Sequence, residues 1–237
     1  MNVPQKKSIL PWNDHHEYEG KHAFLGASQN AWLNWDNVTL LTRYTHTYVQ
    51  AIGTVLHELA KDCIKARMKL TLDDYHILDY AMLKAFGYPF GYPLSKDIFD
   101  SKRYIRVFAA YVNDAIKFHM TPEVILFYSK NCFGTTDSII YDSYSNTLRI
   151  HDYKSGEKEA KFTQLVVYAA YACLEYNIIP SKTTFILRIY QESCDEDGNI
   201  NECPYKEIQC PPQDVELVME RTRIADNIIN AYKENKQ

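Results

Sequence analysis

Apolar residues recur at helical spacing from Ala27 to Lys69, where Val55, Leu56, Leu59, Cys63 and Ile64 share a face and Ser28 is placed to cap the start. Residues 72–85 (LDDYHILDYAMLKA) and 101–119 predict two further helices, separated by the loop-forming GYPFGYP at 87–93. After Pro122 the period shortens to two. EVILFY predicts a strand, and the stretch FGTTDSIIYDSYSNTLRIHDYKSG (133–156) predicts two more around the polar tip SYSN. Residues 159–177 predict a helix apolar on most sides and therefore largely buried. TFILRIYQES then predicts a strand, CDEDGNINEC a turn, YKEIQC the returning strand, and the segment from Pro212 an amphipathic terminal helix. Helices, three strands, a helix, two strands and a helix give an α/β (α+β) class, with a central mixed sheet flanked by helices. The polar, His-rich residues 1–22 predict a loose lead-in. Residues 23–237 predict a single domain, helical over 23–120 and with its sheet core over 121–237.

Composition narrows this picture. Apolar residues make up 46% of 237, with 8 glycines and 9 prolines, which describes a chain that folds and buries a sizeable core. The formal charge of −4 gives no whole-molecule attraction to nucleic acid, so a polyanion would be held by local patches. The opening MNVPQKKSILPW has no apolar stretch of signal-peptide type, and the longest apolar run, LVVYAAYACL, is too short to span a bilayer. Six cysteines without a secretory signal predict reduced thiols in a cytoplasmic protein.

The hairpin carries the candidate chemistry. With SYSN as its loop, Asp142 pairs with Thr147, Ile139 with Ile150, and Asp137 with Asp152. Two carboxylates so opposed at the end of an apolar stripe repel each other and resist ionisation, and a divalent cation between them removes both problems. Lys154 projects beside the pair as a fixed positive charge. The bland alternative is that D-x-K is accidental and the aspartates merely end their strands; a one-residue slip in the loop would separate them.

G-T-T-D, then H-D-Y-K-S-G, then Q-L-V-V-Y resembles the core of the PD-(D/E)XK nuclease superfamily in its RecB-like branch, which includes phage exonucleases and CRISPR-associated nucleases. HAFLGASQNAWLNW followed by GTVLHELA resembles the N-terminal part of phage-encoded members. The resemblance spans roughly residues 23–235, with an irregular fit between about 70 and 115. It implies a restriction-endonuclease-like core and hydrolysis of phosphodiester bonds in DNA, most simply by an exonuclease of phage or mobile-element processing and recombination. It implies one or two Mg²⁺ or Mn²⁺ ions held by Asp137, Asp152, the Tyr153 carbonyl, His57 and a further glutamate. Glu123 is the better match for that glutamate and Glu58 its rival. Lys154, Gln164 and Tyr168 complete the implied catalytic set. Thr136 stands where the family's name has proline. Some relatives hold an iron–sulfur cluster, but Cys194, Cys203 and Cys210 lie late and no cysteine precedes His57, so none is expected here. The implied partners are DNA and no membrane, with a homo-oligomer or a recombination protein left open. A catalytically silent relative that binds DNA or protein is the rival reading.

Other residues have readings of their own. His57 sits at the margin of an apolar helix face, where a partly buried polar residue competes with a neutral imidazole ligand that would favour Mn²⁺. Gln164 and Tyr168, four apart, share a helix face. Lys158 and Lys161 flank that helix's start. Lys61, Lys65, Arg67 and Lys69 line one helix, and Lys102, Arg103 and Arg106 another; each run is a solvated face or part of a phosphate track. Among 19 tyrosines some offer stacking partners for bases.

Overall fold

A computed structural model describes residues 25, 27–86, 99–156, 159–192 and 203–234. The chain divides into two compact units, Met1–Thr47 and Tyr48–Gln237. In the first, a 3-10 turn over Ala27–Asn34 precedes helix α1 (Asn37–Ala66), and Ser28 falls inside that turn. The cap is Asp36 instead, whose Oδ1 accepts from Thr39 N at 2.7 Å. Arg43 lies over the Trp35 ring, 4.6 Å from its centroid.

In the second unit, helices α2 (Tyr75–Phe86) and α3 (Ser101–Lys117) follow α1. Strands β1 (Thr121–Ser129), β2 (Cys132–Asp142) and β3 (Thr147–Lys154) come next. Helix α4 (Thr163–Tyr176), strands β4 (Thr184–Gln191) and β5 (Tyr205–Cys210) and helix α5 (Pro212–Glu234) complete the fold. The mixed sheet has the order β1-β2-β3-β4-β5. Its β3–β4 pair is parallel and the other three are antiparallel. The α4 crossover makes the parallel pair possible. The GYPFGYP loop, most of the CDEDGNINEC turn, Lys158 and the 1–22 lead-in lie outside the described residues.

Helices α1, α3 and α4 end one to three residues earlier than apolar spacing predicts, because each closes on a left-handed residue. Arg67 (φ 54), His119 (φ 55) and Asn177 (φ 55) end α1, α3 and α4. At Arg67 the bonds Arg67 N→Ile64 O and Met68 N→Cys63 O form a Schellman closure.

Two apolar layers sandwich the sheet. Ile52, Leu56, Leu78, Phe108 and Val112 from α1–α3 pack on one face around Tyr153 and Tyr190. Leu165, Ala169 and Val215 from α4 and α5 pack on the other against Leu148, Ile150, Phe185, Leu187 and Ile189. Strands β3 and β4 are therefore buried on both faces. Hairpin register is as the SYSN loop predicts, from Asp142↔Thr147 through Ile139↔Ile150 to Ser138↔His151. Asp142 fixes it: its Oδ1 accepts from Tyr144 N and its Oδ2 from the Ser145 hydroxyl.

On the α3 side, Arg188 links Asp114 (2.6 Å) and Glu207 (2.7 Å), and Tyr190 donates to Asp114. His151, fully buried, reaches Tyr190 Oη at 3.3 Å through Nδ1, while its Nε2 has no hydrogen-bond partner among the described residues. Burial, and then the Arg188 and Arg149 charges, hold this imidazole well below the ordinary value of 6.5. The folded protein refuses a proton that the unfolded chain accepts, so this residue's contribution falls as pH drops below 6.5. Denaturant unfolding of His151→Gln beside wild type is expected to show a stability gap that narrows below neutral pH, by up to about 1.4 kcal/mol per pH unit.

Candidate metal centre

The site forms where β2 outruns β3. Pro122↔Ser138 and Val124↔Thr136 are paired, which leaves Glu123 and Asp137 opposed but outside the ladder. Glu123 has φ 55, a conformation that costs a non-glycine residue roughly 1–2 kcal/mol. It also overturns the alternation of the strand. Thr121 and Val124 would face opposite sides of a regular strand, yet Val124 packs in the α4 layer and Thr121 is the ladder partner of Ile139, which packs there too. Gly134 abuts Tyr168 of α4 and Ile139 packs in the same helix's core, so β2 inverts its alternation across the same rung.

That rung meets α1. His57, Glu123 and Asp137 each offer a ligand atom, all within 4.8 Å of one another, and all three are half-buried. His57 Nδ1 is 3.5 Å from Asp137 Oδ1. Glu58, the rival glutamate, is exposed and stands outside this group. Gly53, one turn before His57, lets α1 come close: a Cβ there would meet Ser155 Oγ at 3.2 Å. The Tyr153 ring, itself buried, packs edge-on to His57 at 5.7 Å and against Phe108 and Tyr111.

The two aspartates do not sit as a ladder pair. Their strands stop pairing at Ser138↔His151, and Asp137 Oδ2 accepts the Tyr153 N–H at 2.7 Å. Tyr153 thus enters the site through its N–H. Asp152 is 1% exposed, and the charged group that meets its Oδ2 is Lys154. Lys154 Nζ lies 3.0 Å from that oxygen as an ion pair. Lys154 Nζ also donates to Gln164 Oε1 (3.2 Å), and Gln164 Nε2 donates to Tyr168 Oη (2.9 Å). Gln164 and Tyr168 therefore hold the lysine from α4. A Cβ on Gly134 would come within 2.9 Å of Tyr168 Cε1, so glycine is what allows that ring to lie on β2.

Electrostatics follow from this crowding. Burial pushes Asp137 up to about 7; the Tyr153 N–H and Lys154 pull against it, and Glu123 adds to the rise. Burial, then the Asp137 charge, takes Asp152 to about 7 as well, against the pull of Lys154. Burial lowers His57, which keeps its imidazole neutral, and the Asp152 and Glu123 charges only partly offset this. Burial also acts to lower Lys154, but Asp152 and Asp137 reverse the effect and leave it raised and charged. An oxygen–oxygen–nitrogen donor set with a further buried carboxylate beside it could hold a divalent cation.

The basic runs are partly engaged elsewhere. Arg106 pairs with Glu192, and Lys102 lies over the Tyr75 ring at 4.9 Å. Lys65, Arg67 and Lys69 are exposed. No described helix is long and apolar enough to cross a membrane.

Residues 22–211 match the family described as "protein of unknown function (DUF2800)", and the chain belongs to that family. No curated protein matches it.

Two carboxylates raised to about 7 favour the metal-free fold when protonated, so their contribution is lost as pH climbs from 4 through 7. A bound cation reverses that loss. Thermal unfolding is expected to show a larger gain from Mn²⁺ near about pH 8 than near about pH 6. Asp137→Asn, which keeps the acceptor for Tyr153 N–H but removes the charge, should lose most of that gain at both.

Proposed function

We propose that this member of the DUF2800 family is a metal-dependent DNA nuclease of the PD-(D/E)XK type, RecB-like and exonuclease-like. The observation that carries the reading is the convergence of Asp137, Glu123 and His57 beside Asp152 and a charged Lys154 at the end of β3. The mixed sheet, with β3 and β4 parallel across a helical crossover, is compatible with a nuclease-like α/β fold.

Asp137, Glu123 and His57 would hold one ion, with Asp152 and the Tyr153 carbonyl as further oxygen ligands. When bound, Mg²⁺ or Mn²⁺ acidifies a water and stabilises charge on the scissile phosphate. His57, kept neutral by burial, offers a nitrogen lone pair. Lys154 stays protonated and is therefore an electrostatic group and not a base. Its ammonium orients the attacking water and offsets the charge that builds at phosphorus. Gln164 and Tyr168 fix its reach through successive hydrogen bonds. Attack of water at phosphorus, with departure of the 3′ oxygen, leaves a 5′-phosphate end.

The test is degradation of linear single- and double-stranded DNA in Mn²⁺, beside a circular control. Wild type should degrade linear DNA, and Asp152→Ala and Lys154→Ala should each lower the rate by about a hundredfold or more while keeping a cooperative unfolding transition. Either variant working at the wild-type rate removes the mechanism. A folded wild type that binds DNA but never cuts it points to a binding module.

A further inference from the structure

We propose that the outer face of the β1–β2 hairpin is a stacking platform for the bases of single-stranded DNA. The inference rests on the nuclease reading of the metal centre and names the form of its substrate.

Residues 124–129 of β1 and 132–136 of β2 pair with each other beyond the last β2–β3 rung, so they form a two-stranded ribbon that outruns the sheet. One face of the ribbon is spoken for: Leu126 is 1% exposed in the α4 core and Gly134 lies under Tyr168. The opposite face is open. Ile125, Phe127 and Phe133 are 62%, 47% and 60% exposed there. Phe127 and Phe133 are directly opposed in the ladder, and their rings stack at 6.3 Å and 28°. This face looks to the side of the sheet on which α1 brings His57.

The ribbon is braced. Ser129 Oγ and Asn131 Nδ2 each donate to Asp226 Oδ1 of α5 at 2.7 Å. Lys233 donates to Asn131 Oδ1 at 2.6 Å. Glu175 of α4 accepts from Phe127 N at 2.7 Å. The rings therefore stand on a support that is already ordered, which lowers the entropy cost of binding.

Three features select the occupant. The phenylalanine rung lies four residues from the Glu123–Asp137 rung on the same two strands, roughly 13 Å at about 3.3 Å per residue, so one strand of DNA can touch both. The chain carries a net charge of −4, and the centre itself is acidic, so a grip that does not depend on phosphate charge is what such a substrate needs. Base–aromatic stacking is that grip, and every base has a π-face. Bases inside a duplex present those faces to one another, so the platform takes an unpaired strand.

The experiment is fluorescence anisotropy in EDTA with labelled oligothymidylate and a duplex of equal length, over a range of salt. A variant carrying both Phe127→Leu and Phe133→Leu keeps the apolar face and removes the rings. It is expected to bind the single strand about tenfold or more weakly, with the duplex affinity and the salt slope unchanged. Its Mn²⁺-dependent thermal shift should match wild type, which shows the centre intact. Phe133→Trp should retain the affinity, with indole fluorescence quenched by the single strand. Unchanged single-strand affinity in the leucine variant overturns the proposal. So does a variant whose one change is a loss of self-association, since the face would then join copies of this chain. If the leucine variant binds like wild type while wild type cleaves DNA, the platform alone falls. If wild type neither binds nor cleaves DNA in Mn²⁺, the nuclease reading falls first.

Discussion

A carboxylate 1% exposed, with a lysine ammonium 3.0 Å from its Oδ2, sets the terms for the rest of this molecule. Burial of such a group is tolerated when it is neutral, paired or bound to a cation. Asp152 has all three routes open. Its pKa near 7 lets it take a proton, Lys154 compensates part of its charge, and a cluster of further ligands stands beside it. Neighbouring elements then fall into place around this problem. Helix α4 reaches the end of β3 because the crossover to β4 starts there, and its first turns supply Gln164 and Tyr168 to hold the lysine. Helix α1 comes down on the same end because Gly53 has no side chain to collide with Ser155.

What the residues revealed in advance was whatever depended on local period and turn chemistry. The β2–β3 register was legible because strand alternation permits one pairing that buries Ile139, Leu148 and Ile150 together, and because Asp142 and the SYSN tip make a turn of fixed length. Grouping of Lys154 with Gln164 and Tyr168 was implied by the family resemblance, while the i, i+4 spacing on α4 by itself put only the last two on one face. The illegible part was set by backbone geometry that these side chains do not announce. A glutamate at φ 55 inside a strand has no compositional signature, and the inversion of both strands at the Glu123–Asp137 rung follows from it. Extension of the aspartate pair by one more rung failed for the same reason: the strands part, and the Asp137 carboxylate turns to a backbone donor. Two glycines did carry a signal. Gly53 in a helix and Gly134 in a strand each mark a close approach, and both border the site.

Strain and function are linked at Glu123. A regular extended residue there would continue the alternation and send its carboxylate away from its present partners. The left-handed turn costs stability locally, and the surrounding ladder on both sides, Pro122↔Ser138 and Val124↔Thr136, holds it in place. Glycine would adopt that conformation without strain, but it would remove one of the three clustered ligands. A strained glutamate standing where glycine is conformationally easier is an argument that the carboxylate itself is wanted.

Two histidines, one buried and one half-buried, sharpen the same point by contrast. Both are held below the ordinary value by burial, so neutrality alone does not mark a ligand. His151 lies in the field of Arg188 and Arg149 with its Nδ1 on the Tyr190 hydroxyl, and those cationic charges would repel a metal ion. His57 lies 3.5 Å from Asp137, with Glu123 and Asp152 drawing its value back up. A neutral imidazole beside several carboxylates provides lone pairs and negative charge at one point, which is the combination a divalent cation requires. Sign of the surrounding field, more than depth of burial, separates the structural histidine from the candidate ligand.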